Sequence, residues 1–184
     1  MALRLPAPVP AAPHVQLAAM RRRHLRSVLR IEQQVYPRPW SLSLFLGELS
    51  LRSTRSYVVA RVGGEVVGYG GLMITHEDAH VTTLAVDPAW HRRGLGTRLL
   101  AHLARVAVER GACHLTLEVR VSNTAAQALY RRFGFCPEGV RRNYYVETNE
   151  DALIMWAHDI DTQAYAARLA TLEQATLEQG PHHA

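Results

Sequence analysis

HRRGLGTRLLAHLARVAVERGACHLTLEVRVSNTAAQALY, residues His91 to Tyr130, holds a glycine turn before a helix, then a strand with one carboxylate, then a second helix with a tyrosine. Gly94 and Gly96 follow the strand-like LAVDPAW and precede Leu95, Leu99, Leu103 and Val106 at helical spacing, so a strand passes through a turn into a helix start. Without Cβ atoms, Gly94 and Gly96 let backbone N–H groups approach an anion closely, and the helix start adds free N–H donors and the positive end of a dipole. Arg92, Arg93 and Arg98 bring positive charge to the same place. Alone, such a turn either cradles a phosphate or merely caps a helix, because short glycine motifs recur often.

Alternation from His114 to Val119 predicts a strand with Leu115, Leu117 and Val119 on one face and Glu118 on the other. Glu118 need not enter the core; it is either a solvated surface group or a working carboxylate. Ser122 or Asn123 caps the next helix, in which Ala126, Leu129, Tyr130 and Phe133 recur at spacings of three and four. Tyr130 then lies about two turns inside, as a half-buried core residue or as part of a site.

The runs LAVDPAWHRRGLGTRLLAHL and LTLEVRVSNTAAQALYRRFGF resemble the GCN5-related N-acetyltransferase (GNAT) superfamily, whose acyl-CoA motif is Q/R-x-x-G-x-G/A before a helix. YPRPW (Tyr36 to Trp40), LEVRVSN (Leu117 to Asn123), RRNYY (Arg141 to Tyr145) and the later EDALIM narrow the likeness to the bacterial ribosomal-protein alanine N-acetyltransferases, the RimI type. The resemblance spans about residues 14 to 159. It implies an α/β fold in one domain: a mixed, mostly antiparallel central sheet flanked by helices, with the strands before the glycine turn and around Glu118 splayed apart. It further implies that Leu84, Ala85 and Val86 offer backbone groups to the acetyl-pantetheine arm of acetyl-CoA. Arg92, Arg93, Gly94, Leu95, Gly96 and Thr97 would surround the pyrophosphate, and Asn123 would also touch the cofactor. Glu118 is implied as base and Tyr130 as acid, and Tyr36, Trp40, Arg141, Asn143, Tyr144 and Tyr145 as the acceptor side. From the residues alone, Arg141 to Tyr145 either line an acceptor groove or form an ordinary strand with aromatic cross-strand packing. His91 departs from the pattern, standing where the family usually has Gln or Arg; the departure touches one side-chain contact and not the backbone cradle.

The chemistry suits these roles. An amine attacks a thioester through a free lone pair, and an α-amine, with a pKa of about 7.7 to 8.0, frees it more readily than a lysine at about 10.4. Glu118, directly or through one water, would take the proton while Tyr130 gives one to the departing thiolate. A glutamate of pKa about 4.3 is a weak base, so a partly desolvated site that raises Glu118 is expected. Direct transfer needs no metal and no covalent enzyme intermediate. Cys113 and Cys136 adjoin apolar strand-like sequence and are expected as small core residues. The ten histidines show no metal-ligand spacing, His182 and His183 standing in a polar tail, and no metal site is assigned.

With 184 residues, 48% of them apolar, and no repeat, the chain fits one domain. Expected divisions are a flexible Pro/Ala-rich leader at 1–13, the N-acetyltransferase domain at 14–160 and a helical tail at 161–184, the helix running from Thr162 to Gln179 and docking on the domain or on a partner. The leader lacks a long enough apolar stretch for a secretion signal and no segment approaches a membrane span, so a cytoplasmic protein is expected. Strands are expected near Val15–Met20, Tyr57–Val62, Glu65–Thr75, Ala79–Val86, Phe135–Val146 and Ala152–His158, and helices near Arg21–Val35 and Ser41–Leu49. Net charge is +5 and all 21 basic residues are arginine. Arg21 to Arg23, Arg26 and Arg30 form one cluster, and Arg131, Arg132, Arg141 and Arg142 another; they are solvated charge or a means of lying near ribosomal RNA. No motif for sequence-specific nucleic-acid binding is present.

The expected function is acetyl-CoA-dependent acetylation of a protein N-terminus, the N-terminal alanine of a small-subunit ribosomal protein. Its rivals are acetylation of a small-molecule amine or a lysine side chain, and a noncatalytic CoA-binding or ribosome-associated protein.

Overall fold

The structure, a computed structural model, describes residues 14–178. The expected leader and the end of the tail, with His182 and His183, lie outside the described residues.

Strand β2 (Arg55–Val62) shows how the sequence builds the layers. Val58, Ala60 and Val62 face one helix layer while Tyr57 and Val59 face the other, so this strand is covered on both sides. It lies between β1 (Val15–Ala19) and β3 (Glu65–Thr75), joined to β3 by a turn at Gly63 and Gly64, both at positive φ. β4 (Asp78–Val86), β5 (His114–Arg120), β6 (Cys136–Tyr145) and β7 (Glu150–Ala157) complete a seven-stranded sheet in the order β1-β2-β3-β4-β5-β7-β6.

Every neighbouring pair is antiparallel except β4 and β5, which run parallel. That pair is short: Asp78, Ala79 and His80 are opposite His114, Leu115 and Thr116, and beyond them the strands separate. The rest of β4, Val81 to Val86, therefore has no strand beside it on the β5 side, as the family resemblance implied.

One face carries α3 (Leu95–Glu109), α4 (Thr124–Arg132) and α5 (Gln163–Glu178) over the larger core. Leu99 and Leu103 of α3 reach the sheet where β3 has glycines; a Cβ on Gly70 would stand 2.9 Å from Leu103 Cδ1. The other face carries α1 (Leu25–Val35) and α2 (Leu42–Ser50), whose Leu25, Val28, Ile31 and Phe45 enclose Tyr69 in a smaller core. These two helices cover the β1–β4 half, which leaves the same face of β5 and β7 open as a cleft. A 3-10 turn at Arg22–His24 precedes α1, so the α-helix begins later than expected. No helix among the described residues is long and apolar enough to cross a membrane.

The cysteine expectation fails. Cys113 is half-buried, its Sγ 3.5 Å from Asp161 Oδ2, and Cys136 is exposed. Cys136 begins β6, an outermost strand most of whose residues face solvent, so apolar neighbours in sequence gave it no core to enter.

Candidate active site

Glu118 projects from β5 into the open cleft where β4 and β5 part. Its side chain is 10% exposed, and both of its oxygens are engaged. Oε2 lies 2.5 Å from His80 Nε2, and Oε1 lies 3.1 Å from Arg141 Nη1. The hydrogen bond from His80, reinforced by Arg141, holds the carboxyl below the ordinary glutamate range despite desolvation. The expected upward shift is thus overturned: two cationic or hydrogen-bonding partners outweigh burial.

His80 is the residue that sequence reasoning missed. It sits opposite Thr116 in the short parallel ladder, and Thr116 and Glu118 share a face of β5, so the register alone places His80 beside Glu118. No local motif carries that information. Together with Met73, Thr75, Asp78, Tyr144, Ile154 and Trp156, the trio of His80, Glu118 and Arg141 lines a cleft of about 380 Å³.

Arg141 and Tyr144 arrive through an irregularity in β6. Arg141 pairs with Ala152 and Tyr145 with Glu150, so three residues of β6 stand against one of β7, and Asn143 adopts a left-handed φ of 50°. Asp151 Oδ1 accepts the Asn143 N–H at 2.7 Å and fixes the bulge. Tyr144 then lies beside Arg141, 5.5 Å from guanidinium carbon to ring centroid, and Tyr145 lies under Arg120 at 3.8 Å. Arg120 also bonds Glu147 and Glu150, clamping the β6–β7 turn to β5. RRNYY is therefore not an ordinary strand.

Tyr130, from α4, is 8% exposed and packs on Phe135, with centroids 5.8 Å apart. Burial, with the nearby phenols of Tyr36 and Tyr145, pushes its hydroxyl well above the usual phenol range and keeps it protonated. Tyr36, on the loop after α1, donates its hydroxyl to Leu84 O at 3.0 Å and so reaches the unpaired part of β4. Trp40 is placed differently: its ring lies on Phe45 in the smaller core, while its backbone N–H donates to Glu32 Oε2 at 3.3 Å.

The cradle fits an anion. Gly94 has a φ of 73° and precedes α3 with no side-chain cap, so the N–H groups of Leu95, Gly96 and Thr97 open from the helix start. Leu95 and Thr97 bury their side chains and can offer only backbone there. Arg92 takes a left-handed φ of 59°, and Arg93 stacks on Trp90. Asn123 caps α4 by accepting the Ala126 N–H, which resolves the choice between Ser122 and Asn123. His91, where the motif has Gln or Arg, turns back to place its Nε2 2.9 Å from Val86 O. Leu84 and Ala85 complete the β4 edge, Ala85 with its methyl in the smaller core.

The model of the acetyltransferase (GNAT) family matches residues 24–135, from the start of α1 to the end of α4 and just beyond. The chain belongs to the GNAT family. The N-alpha-acetyltransferase RimI of Mycobacterium tuberculosis is 39% identical over 147 residues, which cover 77% of this chain and 90% of that protein. The [ribosomal protein bS18]-alanine N-acetyltransferase of Escherichia coli K12 is 38% identical over 133 residues, covering 71% and 88%. The crystal structure of the ribosomal-protein-S18-alanine N-acetyltransferase from Escherichia coli superposes with a TM-score of 0.73, covering 79% of this chain and 94% of that one. The acetyl donor of this GNAT chain is acetyl-CoA. The β4 edge that β5 leaves without a strand partner and an uncapped α3 start suit its pantetheine amides and its pyrophosphate respectively.

Proposed function

We propose that this GNAT enzyme acetylates the α-amine of a protein N-terminus, with the N-terminal alanine of a small-subunit ribosomal protein as acceptor, in the cytoplasm. The carrying observation is the cleft at Glu118. It opens to solvent, with Tyr144 45% exposed and the Arg141 side chain 53%, so a chain end can enter while the rest of the acceptor stays outside. The names borne by relatives at 38–39% identity support the same class of acceptor. Ribosome proximity would draw on the arginines before α1 and on α4.

Acetyl-CoA supplies a thioester carbon open to attack by an amine. Backbone groups of Leu84, Ala85 and Val86 hold the arm along β4, and Arg92 to Thr97 hold its pyrophosphate. The acceptor amine docks beside the His80–Glu118 pair, which takes its proton, while Arg141 keeps Glu118 ionised. Tyr130 presents its protonated hydroxyl to the departing sulfur. Tyr36, Asn143, Tyr144 and Tyr145 shape the entry, and Trp40 steadies the Tyr36 loop.

The test is mass spectrometry of acetyl transfer to peptides beginning with Ala, Ser, Gly or Met, beside N-terminally blocked peptides containing lysine. Modification of the free α-amine, fastest on the alanine-starting ribosomal sequence, is expected. Lysine modification, or turnover confined to small amines, would overturn the assignment.

A further inference from the structure

Helix α5 lies beyond the family match and runs antiparallel to α3. Ala166 and Leu169 sit beside Val108 and Glu109 at the C-terminal end of α3, Glu173 pairs with Arg105, and Thr176 reaches Gly94 at the other end. Tyr165, Leu169, Leu172 and Thr176 make one stripe along α5, but its two ends differ. Tyr165 and Leu169 are buried in the larger core and anchor the first half. Beyond Leu172, which still packs on the larger core, the helix meets α3 through the Arg105–Glu173 pair, whose side chains are 43% and 35% exposed, and through a threonine methyl.

The Thr176 contact falls on the cradle itself. Its Cγ2 lies 2.4 Å from where a Cβ on Gly94 would stand, and Thr176 is 6% exposed. The Thr176 hydroxyl is turned away, donating to Leu172 O at 2.7 Å, so only a methyl meets the glycine. α5 thereby meets the residue that precedes α3, next to the N–H groups that would face an anion. Arg98, one turn into α3 on the same face as Gly94 and Arg105, has its Nε buried without a hydrogen-bond partner among the described residues. A guanidinium N–H without an acceptor beside a covered cradle fits a site whose anion is shut out.

We propose that the last two turns of α5 form a strap over the pyrophosphate cradle that must lift before acyl-CoA binds, so that the enzyme limits its own donor occupancy. The inference rests on the acyl-CoA assignment of that cradle. Its test uses the full chain and CoA itself. Glu173→Ala removes the ion pair, and Thr176→Trp puts a ring where only a methyl fits against Gly94. Titration calorimetry should give CoA dissociation constants about two- to five-fold lower in Glu173→Ala, the range expected from losing one exposed ion pair, with Thr176→Trp also tighter and acceptor KM unchanged. Hydrogen exchange at residues 173–178 of the wild type should quicken on adding CoA. Weaker CoA binding with slower exchange would make α5 a wall of the site and overturn the strap; unchanged affinity and exchange would overturn it equally. Absence of any CoA binding in the wild type would instead overturn the donor assignment beneath it.

Discussion

Glu118 carries two partners and a depressed pKa, which changes what limits the reaction at low pH. An ordinary carboxylate would lose its charge near pH 4.5, and this one holds it lower, so Glu118 stays ionised wherever the acceptor amine is even slightly deprotonated. The acid limb of kcat/KM is therefore expected to follow the α-amine pKa of whichever peptide is supplied; profiles for two peptides of different amine pKa check this, and a limb that stays put would point to the enzyme. Glu118→Gln should lower kcat about 100-fold or more while CoA affinity holds, and His80→Gln should fall in the same direction. Tyr130→Phe keeps the buried ring and removes the hydroxyl, so a loss of about ten-fold or more in kcat with unchanged CoA affinity is expected in single-turnover assays. While their base and acid roles came from the family resemblance, the strand and helix positions of Glu118 and Tyr130 were legible in the sequence because each lies in a local periodic pattern. His80 was not, since only the register of β4 against β5 brings it to Glu118, and neither was the sign of the Glu118 shift, which depends on side chains 38 and 23 positions away.

At the scale of elements, periodicity located the strands and helices because alternation and helical spacing report burial directly. It did not report the bulge at Asn143, which arises from a count of residues against β7, nor the exposure of Cys136 on an outer strand. The join between α1 and α2 holds a second unforeseen feature. Glu32 is 1% exposed, and desolvation raises its carboxyl above the ordinary range even though Oε2 accepts the Trp40 N–H. A folded-state pKa above the unfolded one means the folded protein binds the extra proton, so stability drops as pH rises from the ordinary carboxylate range through the raised value. Glu32→Gln keeps an acceptor for Trp40 and removes the buried charge. Its melting temperature should exceed the wild type's at pH 7.5 and approach it at pH 4.5. On β3 the tolerance is steric: a Cβ on Gly71 would lie 2.2 Å from Tyr57 Cε1, and the Tyr57 hydroxyl is tied to Glu48 and Thr82. Gly71→Ala should cost about 1–3 kcal/mol in denaturant titrations.

For the molecule as a whole, the two cores share one sheet, and Tyr165 and Leu169 tie α5 into the larger of them. Trp40, Trp90 and Trp156 report from the smaller core, the cradle approach and the cleft, so fluorescence and circular dichroism are expected to trace one coincident unfolding transition. Separate midpoints would divide the fold into independent parts. The absence of lysine has its own effect: all 21 basic residues are arginine, and a guanidinium stays protonated and does not take an acetyl group from a thioester at neutral pH. The chain thus offers acetyl-CoA no side-chain amine of its own.

The parting of β4 from β5 after three paired positions leaves an edge of β4 without a strand partner in the middle of the sheet. A donor lying along that edge with amide groups at roughly strand spacing would act as a prosthetic strand that completes the sheet from outside. Small activated acetyl compounds with no amides along their length would leave that edge bare, however reactive they are. The sheet would then discriminate among donors by its own unfinished hydrogen bonding, before any catalytic group is reached.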